Sequence, residues 1–376
     1  MNKLFCILIL FISTAAFADT KDSKDTKLSF NGSIRNDAAA TVQSSDTMSS
    51  FNASRFTVAD ILETKLVAQA KAKDWKFYAD GRFFLYYSTI PNQLPKLVDA
   101  KLMRAFMRIF SDVGDFTIGK TYVNFGIKGL FNPFEFDKTI STTDLTYDKS
   151  GLIALEYVLN IDDVFQLKAY GGMEQNDISI PAQYKGGISL QGTVKSFDFG
   201  LVANRLGSDR NIFGAYFKGD IEIGINGSYA FHSNDDFNSF FHEVTAGIDY
   251  SFLSGNLITT LSFYFNSEGA ASSSEYSRAP IIGTLLPASQ DSYFSAKYYL
   301  YGNITGKIDE FTSVGLDVFA NMVDFSVLVA PTASFIIVNG LTLTVGVYVP
   351  IGWGNKEFSF DYMGYTTLLI RIEGKF

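Results

Sequence analysis

Cysteine is almost absent from this 376-residue chain, which holds only Cys6. That residue lies inside an apolar N-terminal stretch and follows no lipobox, so a lipid anchor is not expected there. Lys3 supplies a positive start, residues 4–12 an apolar run of leader length, and Ala16-Phe17-Ala18 a small-x-small cleavage site. Residues 1–18 therefore read as a signal peptide for the Sec pathway, with a mature chain from Asp19 that has no thiol. Disulfides, thiolate chemistry and cysteine-based metal sites are excluded. Long apolar runs are also missing. No mature segment approaches the roughly 18 apolar residues of a membrane-spanning helix. Basic charge is scarce as well. Loss of Lys3 leaves 30 of the 31 basic residues against 39 acids, a balance that argues against nucleic acid as a partner. Histidine is limited to His232 and His242. No P-loop, dinucleotide fingerprint or His-Glu-x-x-His zinc motif occurs, so no cofactor or metal is expected.

What the chain has in abundance is aromatic residues, 36 Phe and 20 Tyr, beside 31 Gly, and a period of two. Ile221, Ile223, Ile225, Gly227, Tyr229 and Phe231 alternate with Glu222, Gly224, Asn226 and Ser228. Val244, Ala246, Ile248, Tyr250 and Phe252 alternate with Glu243, Thr245, Gly247, Asp249 and Ser251, and Leu341, Leu343, Val345 and Val347 with Thr342, Thr344, Gly346 and Tyr348. Alternate residues of a strand face opposite sides, so each run is a strand with one greasy and one wet face. The runs span about 9–12 residues, longer than the usual 5–6 of a globular strand and close to the 9–11 of a tilted strand crossing a bilayer.

The connections alternate in length. Short ones rich in Gly, Asn, Asp, Ser and Lys fall near 73–74, 111–114, 160–163, 195–196, 218–220, 253–256, 305–310 and 338–340. Mostly longer ones fall near 36–54, 88–99, 123–150, 173–183, 207–210, 232–240, 267–291, 321–324 and 350–361. Eight turns and nine loops predict eighteen strands, with both ends on the short-turn rim. The weakest strands are 27–35 and 55–72, since Leu62, Leu66 and Ala70 also fit a helix face; without both, sixteen remain. The reading is an all-β fold: residues 19–376 as one transmembrane antiparallel up-and-down β-barrel. In hydrocarbon every backbone N–H and C=O must be paired within the protein, which a sheet achieves only by closing on itself.

The last strand ends Leu368, Ile370, Ile372 and Phe376 on one parity, with Arg371, Glu373 and Lys375 on the other. A terminal Phe closing such a strand resembles the signal read by the outer-membrane barrel assembly machinery. Residues 99–137 add a hairpin whose second strand carries Ile118, Gly119, Lys120, Val123, Asn124, Phe125 and Gly126 before a loop with Asn132-Pro133. This resembles a recurring hairpin of porin-like outer-membrane proteins, with Phe125 where Trp is frequent. The resemblance implies a passive channel for small hydrophilic solutes or ions in a bacterial outer membrane, surrounded by outer-membrane lipid and present as a monomer or homotrimer.

Parity predicts the lumen lining. Lys76, Asp80 and Arg82 oppose Trp75, Phe77 and Phe83; Arg104 and Arg108 oppose Met107 and Ile109; Glu156 opposes Leu155; Lys168 opposes Leu167. Lipid-facing charges near the midplane would cost about 2–4 kcal/mol, which favours the inward assignment. Lys120 breaks the rule by sharing a face with Phe116 and Ile118. The loop at 123–150, with Lys128, Glu135, Asp137 and Lys138, is a candidate pore constriction. Three other readings stay open at this point: a surface adhesin or structural barrel; a hydrophobic-solute transporter with the polar segment 19–54 as a hatch; and an outer-membrane enzyme using His232 and His242.

Overall fold

A computed structural model describes residues 26–43, 56–88, 98–127, 130–134, 138–141, 144–149, 151–174, 183–207, 210–276, 295–354, 356–363 and 365–376. The leader 1–18 lies outside these residues. The strands are β1 (Lys27–Gln43), β2 (Phe56–Lys71), β3 (Trp75–Ser88), β4 (Val98–Ile109), β5 (Asp115–Thr121), β6 (Lys138–Ser141), β7 (Asp144–Lys149), β8 (Leu152–Asn160), β9 (Phe165–Glu174) and β10 (Gln183–Val194). They continue as β11 (Phe197–Leu206), β12 (Arg210–Asp220), β13 (Gly224–Asn234), β14 (Phe240–Phe252), β15 (Leu257–Asn266), β16 (Tyr298–Lys307), β17 (Thr312–Asn321), β18 (Ser326–Val338), β19 (Leu341–Ile351) and β20 (Tyr365–Lys375).

All but β6 and β7 form one antiparallel sheet of eighteen strands, and β6 and β7 make a separate two-stranded hairpin inside the β5–β8 connection. Each barrel strand pairs with its sequence neighbours, β5 pairs with β8, and β20 returns to pair with β1. The sheet is therefore closed. The two weakest predictions, β1 and β2, are its longest strands, at 17 and 16 residues. Paired to neighbours along their whole length, they cannot be helical, and the sixteen-strand alternative falls. Residues 27–43 stand in the wall, so this part of segment 19–54 is not a hatch.

Short links at 72–74, 110–114, 161–164, 195–196, 221–223, 253–256, 308–311 and 339–340 gather on the rim that also holds the start of β1 and the end of β20. Asn339-Gly340 shows why two residues suffice. Gly340 adopts a φ of +83°, a left-handed conformation that reverses the chain in register with strand twist. The expected turn near 218–220 lies instead at 221–223. Ile221 and Ile223 thus belong to the rim rather than to the β13 row.

On the barrel strands the outward row is apolar and mostly more exposed, while the inward row is buried or half-buried. On β1, Phe30, Ile34 and Val42 are exposed while Asp37, Ala39 and Thr41 are buried. On β8, Ile153 and Leu155 are exposed while Ala154 and Glu156 are buried. The exposed row is the bilayer face. Lys120 lies on this outer row, beside Ile153 and Ala105, one residue from the end of β5. The β4–β5 and β5–β8 registers run without a shift there, so no bulge accounts for the position.

Closure rests on the β1–β20 seam, in register from Ser33 opposite Lys375 to Gln43 opposite Tyr365. Gly32 N–H donates to Phe376 O at 2.8 Å, and Phe376 N–H donates to Gly32 O at 3.0 Å. A Cβ on Gly32 would lie 2.9 Å from the Phe376 ring and 2.6 Å from Lys65 O. Only glycine lets the terminal ring lie against the seam. Gly32→Val should destabilise the folded barrel by about 1–3 kcal/mol, the usual penalty of overpacking. The check is the temperature at which the folded band converts to the unfolded band on SDS gels; an unchanged temperature refutes it.

Candidate functional site: the lumen and its crossing loop

The inner rows of β20, β1, β2, β3, β4, β8 and β9 carry a ladder of charge in two ion-paired groups, one around Asp37, Glu63 and Asp80 and the other around Glu156. Register makes it: Asp37 is opposite Arg371, Arg35 opposite Glu63, Asp80 opposite Arg104, and Thr117 lies between Arg108 and Glu156. Arg371 holds Asp37 in a two-pronged contact, Nε to Oδ1 at 2.7 Å and Nη2 to Oδ2 at 3.1 Å. Arg35 bridges Asp37 at 3.1 Å and Glu63 at 2.7 Å, and Arg82 bridges Glu63 at 3.4 Å and Asp80 at 3.8 Å. Asp80 also takes Arg104 at 3.2 Å, while Glu156 takes Arg108 at 3.5 Å and Lys168 at 3.0 Å.

Six cations thus share four carboxylates. The acids lie against the wall; the Asp80 side chain is 0 % exposed, whereas that of Arg108 is 38 % exposed. Water in the lumen meets guanidinium groups first. Arg104 is held in place by aromatic faces, 4.4 Å from the Tyr78 ring centre and 4.8 Å from that of Tyr122, and it donates to Tyr78 Oη at 2.5 Å. Lys76 stands on the same row as Tyr78, opposite Arg108. The ladder therefore joins Asp80, Arg82, Arg104, Arg108, Glu156 and Lys168 of the sequence-predicted set. It extends them with Arg35, Asp37, Glu63 and Arg371, which parity alone left unassigned; the alternating row of Arg371, Glu373 and Lys375 was their one visible signal.

The β5–β8 connection leaves the wall and folds inward. Val123, Phe125 and Phe134 pack into a buried cluster with Tyr170 of β9, Val202 of β11, Ile212 and Tyr216 of β12, and Ala230 of β13. At Gly214 a Cβ would sit 2.6 Å from the Phe134 ring, so the missing side chain makes room for it. Asn132 ties the loop to itself, donating from Nδ2 to Phe125 O at 2.9 Å and accepting Phe134 N–H at 3.1 Å. Lys168 Nζ donates to Asn124 O at 3.2 Å, which joins the loop to the ladder. Phe131 reaches furthest. Its ring stacks on Tyr264 of β15 at 4.9 Å and meets Tyr301 of β16 edge-on at 6.5 Å. Those strands stand eight and nine places along the wall from β5, half of the eighteen-strand circumference. Lys138 begins β6 in the same connection, while Lys128, Glu135 and Asp137 lie outside the described residues.

The wall that Phe131 meets is different in character. Asp317 accepts Tyr301 Oη–H at 2.5 Å and Asn303 Nδ2 at 2.7 Å. Glu243 accepts the Tyr264 hydroxyl and lies 2.7 Å from His232 Nε2, whose ring stacks on Phe241 at 4.2 Å. These acids are held by hydroxyl, amide and imidazole groups rather than by arginine. His242 sits on the opposite face of the sheet, bonded through Nδ1 to Tyr229 Oη at 2.8 Å among Phe231 and Phe240. The β13–β14 register pairs His232 with Phe241 and Phe231 with His242. One imidazole therefore faces the lumen and the other the bilayer, and they cannot serve as one acid–base pair. Among the described residues no group of three or more His, Cys, Asp or Glu is placed to hold a metal ion.

No protein-family model matches the chain. No curated protein matches its sequence either. Solved structures do match its shape. The outer membrane protein opdK of Pseudomonas aeruginosa aligns with a TM-score of 0.63 over 93% of this chain and 98% of that one, at 9% identity. Acinetobacter baumannii OccAB1 aligns with a TM-score of 0.61 over 95% and 99%, at 7% identity. Salmonella typhi OmpF, in its complex with daunomycin, aligns with a TM-score of 0.51 over 94% and 98%, at 10% identity. The chain has the fold of bacterial outer-membrane porin barrels.

Proposed function

We propose that this barrel is a passive diffusion channel for small hydrophilic solutes and ions, and that its passage favours anions. The observation that carries the reading is the reach of Phe131 to Tyr264 and Tyr301. The crossing loop takes up the side of the lumen lined by β9–β16 and leaves the passage beside the arginine ladder. A solute there moves past Arg35, Arg82, Arg104 and Arg108, whose paired acids are buried behind them. Fixed positive groups at a constriction raise the local concentration of anions and lower that of cations. The passage is complete within one chain, so a monomer conducts. Outer-membrane lipid meets the apolar outer row, and the assembly machinery is the partner during insertion.

Two outcomes follow. In planar bilayers under a salt gradient, the reversal potential should report anion preference. Arg104→Ala combined with Arg108→Ala should lower the anion-to-cation permeability ratio by at least about fivefold, the factor set by about 1 kcal/mol from one unit charge some 4 Å from one passing ion in water. An unaltered reversal potential removes the ladder from selectivity, and failure of the folded protein to conduct removes the channel. Phe131→Ala should raise single-channel conductance, since it forfeits about 0.5–1.5 kcal/mol of ring pairing beyond the lost burial at the loop's far anchor. Equal conductance in the two proteins refutes the constriction.

A further inference from the structure

On the outer rim, residues 267–276 and 295–297, the turn 322–325, and residues 352–354 and 356–363 meet over the inner face of the wall that receives Phe131. Their junction is the carboxylate of Glu357, which is 1% exposed. Oε1 accepts Ser295 N–H at 2.9 Å. Oε2 accepts Tyr299 Oη–H of β16 at 2.5 Å and Asn321 Nδ2 at the end of β17 at 2.6 Å. The backbone N–H of Glu357 donates to Asp324 Oδ2 at 2.7 Å, and that of Phe358 to Ser326 Oγ at 2.9 Å. The titratable groups facing Glu357 are Tyr299 from β16, Tyr276 from residues 267–276 through Asn321, and Asp324 from the 322–325 turn. Glu357 and Asp324 form no ion pair with another described residue. Among the described residues, two carboxylates are therefore buried side by side and held by neutral donors. Phe358, next along the chain, joins the same apolar cluster as Phe131, Tyr264 and Tyr299.

We propose that Glu357 is a positioning residue that works as a proton-operated latch: when it takes up a proton, the segment that carries it is held more firmly over the lumen and the passage narrows. A neutral carboxyl carries a far smaller desolvation penalty than a carboxylate and no charge repulsion from Asp324. Its new O–H also finds an acceptor, because the Tyr299 hydroxyl can accept as well as donate. Burial, followed by the three donors that oppose it and the Asp324 charge that adds to it, leaves the Glu357 carboxyl above the ordinary carboxylate range. A carboxyl raised in the docked state binds more protons docked than released. Docking is then strongest in acid and weakens as pH rises from the ordinary carboxylate range through the raised value.

The functional consequence rests on the channel reading, so the test has two readouts. Single-channel conductance should fall to a smaller level in the unaltered protein as pH is lowered from above the raised carboxyl value into the ordinary carboxylate range. Glu357→Gln, the neutral isostere, should show the small level throughout and lose the pH step. Asp324→Asn removes the facing charge and should move the step to lower pH. Independently of conduction, Trp75→Phe leaves Trp353 as the single tryptophan of the chain, four residues before Glu357. In micelles its fluorescence anisotropy should rise on acidification, and should stay high at all pH when Glu357→Gln is added. An unaltered protein with no acid response, or a Glu357→Gln protein with an undiminished one, overturns the latch. A barrel that does not conduct while Trp353 still follows Glu357 overturns the channel and leaves the latch standing.

Discussion

The bilayer offers no partner to a peptide group, and the architecture follows from that demand. Each unpaired N–H or C=O in hydrocarbon costs several kcal/mol, so the sheet must end where it began. Here the end is the β1–β20 seam, held by a long ladder, by the reciprocal bonds of Gly32 and Phe376, and by the Arg371–Asp37 contact on the inner side. Closure sorts the two faces. The outer row meets lipid tails and is apolar, and every group that must be charged is driven inward.

Sorting concentrates charge. Residues far apart in sequence, Asp37 and Arg371 among them, become neighbours because strands β1 and β20 meet. Within each group of the ladder, buried acids orient more exposed cations. An eighteen-strand cylinder is also too wide for wall side chains to fill. The interior is occupied by loops, and these bring their own dry contacts: Phe131 on Tyr264, Phe134 over Gly214, Phe358 beside Tyr299. The lumen is apolar where the loops pack and charged where they do not.

Much of the wall was legible beforehand, because period-two alternation and turn chemistry act locally. The short links at Lys195-Ser196 and Asn339-Gly340 stand where their residues place them. The slip at Ile221 and Ile223 arose because apolar residues at the rim extend a row without belonging to it. The β2 segment was ambiguous because Leu62, Leu66 and Ala70 satisfy two periodicities at once, and only pairing with β1 and β3 separates them.

Sequence by itself determined the two-faced wall, the rim that carries the short turns and the absence of an internal disulfide, and it narrowed the strand count to eighteen or sixteen. These follow from properties of each residue and its immediate neighbours. Tertiary structure alone decided that Arg35, Asp37, Glu63 and Arg371 complete the ladder, that His232 and His242 stand on opposite faces, and that Phe131 crosses to the far wall. The physical reason is the same in each case. Those contacts depend on where a closed sheet brings strands together and on where an inward loop finds a surface to bury itself, and neither is a local property of the chain.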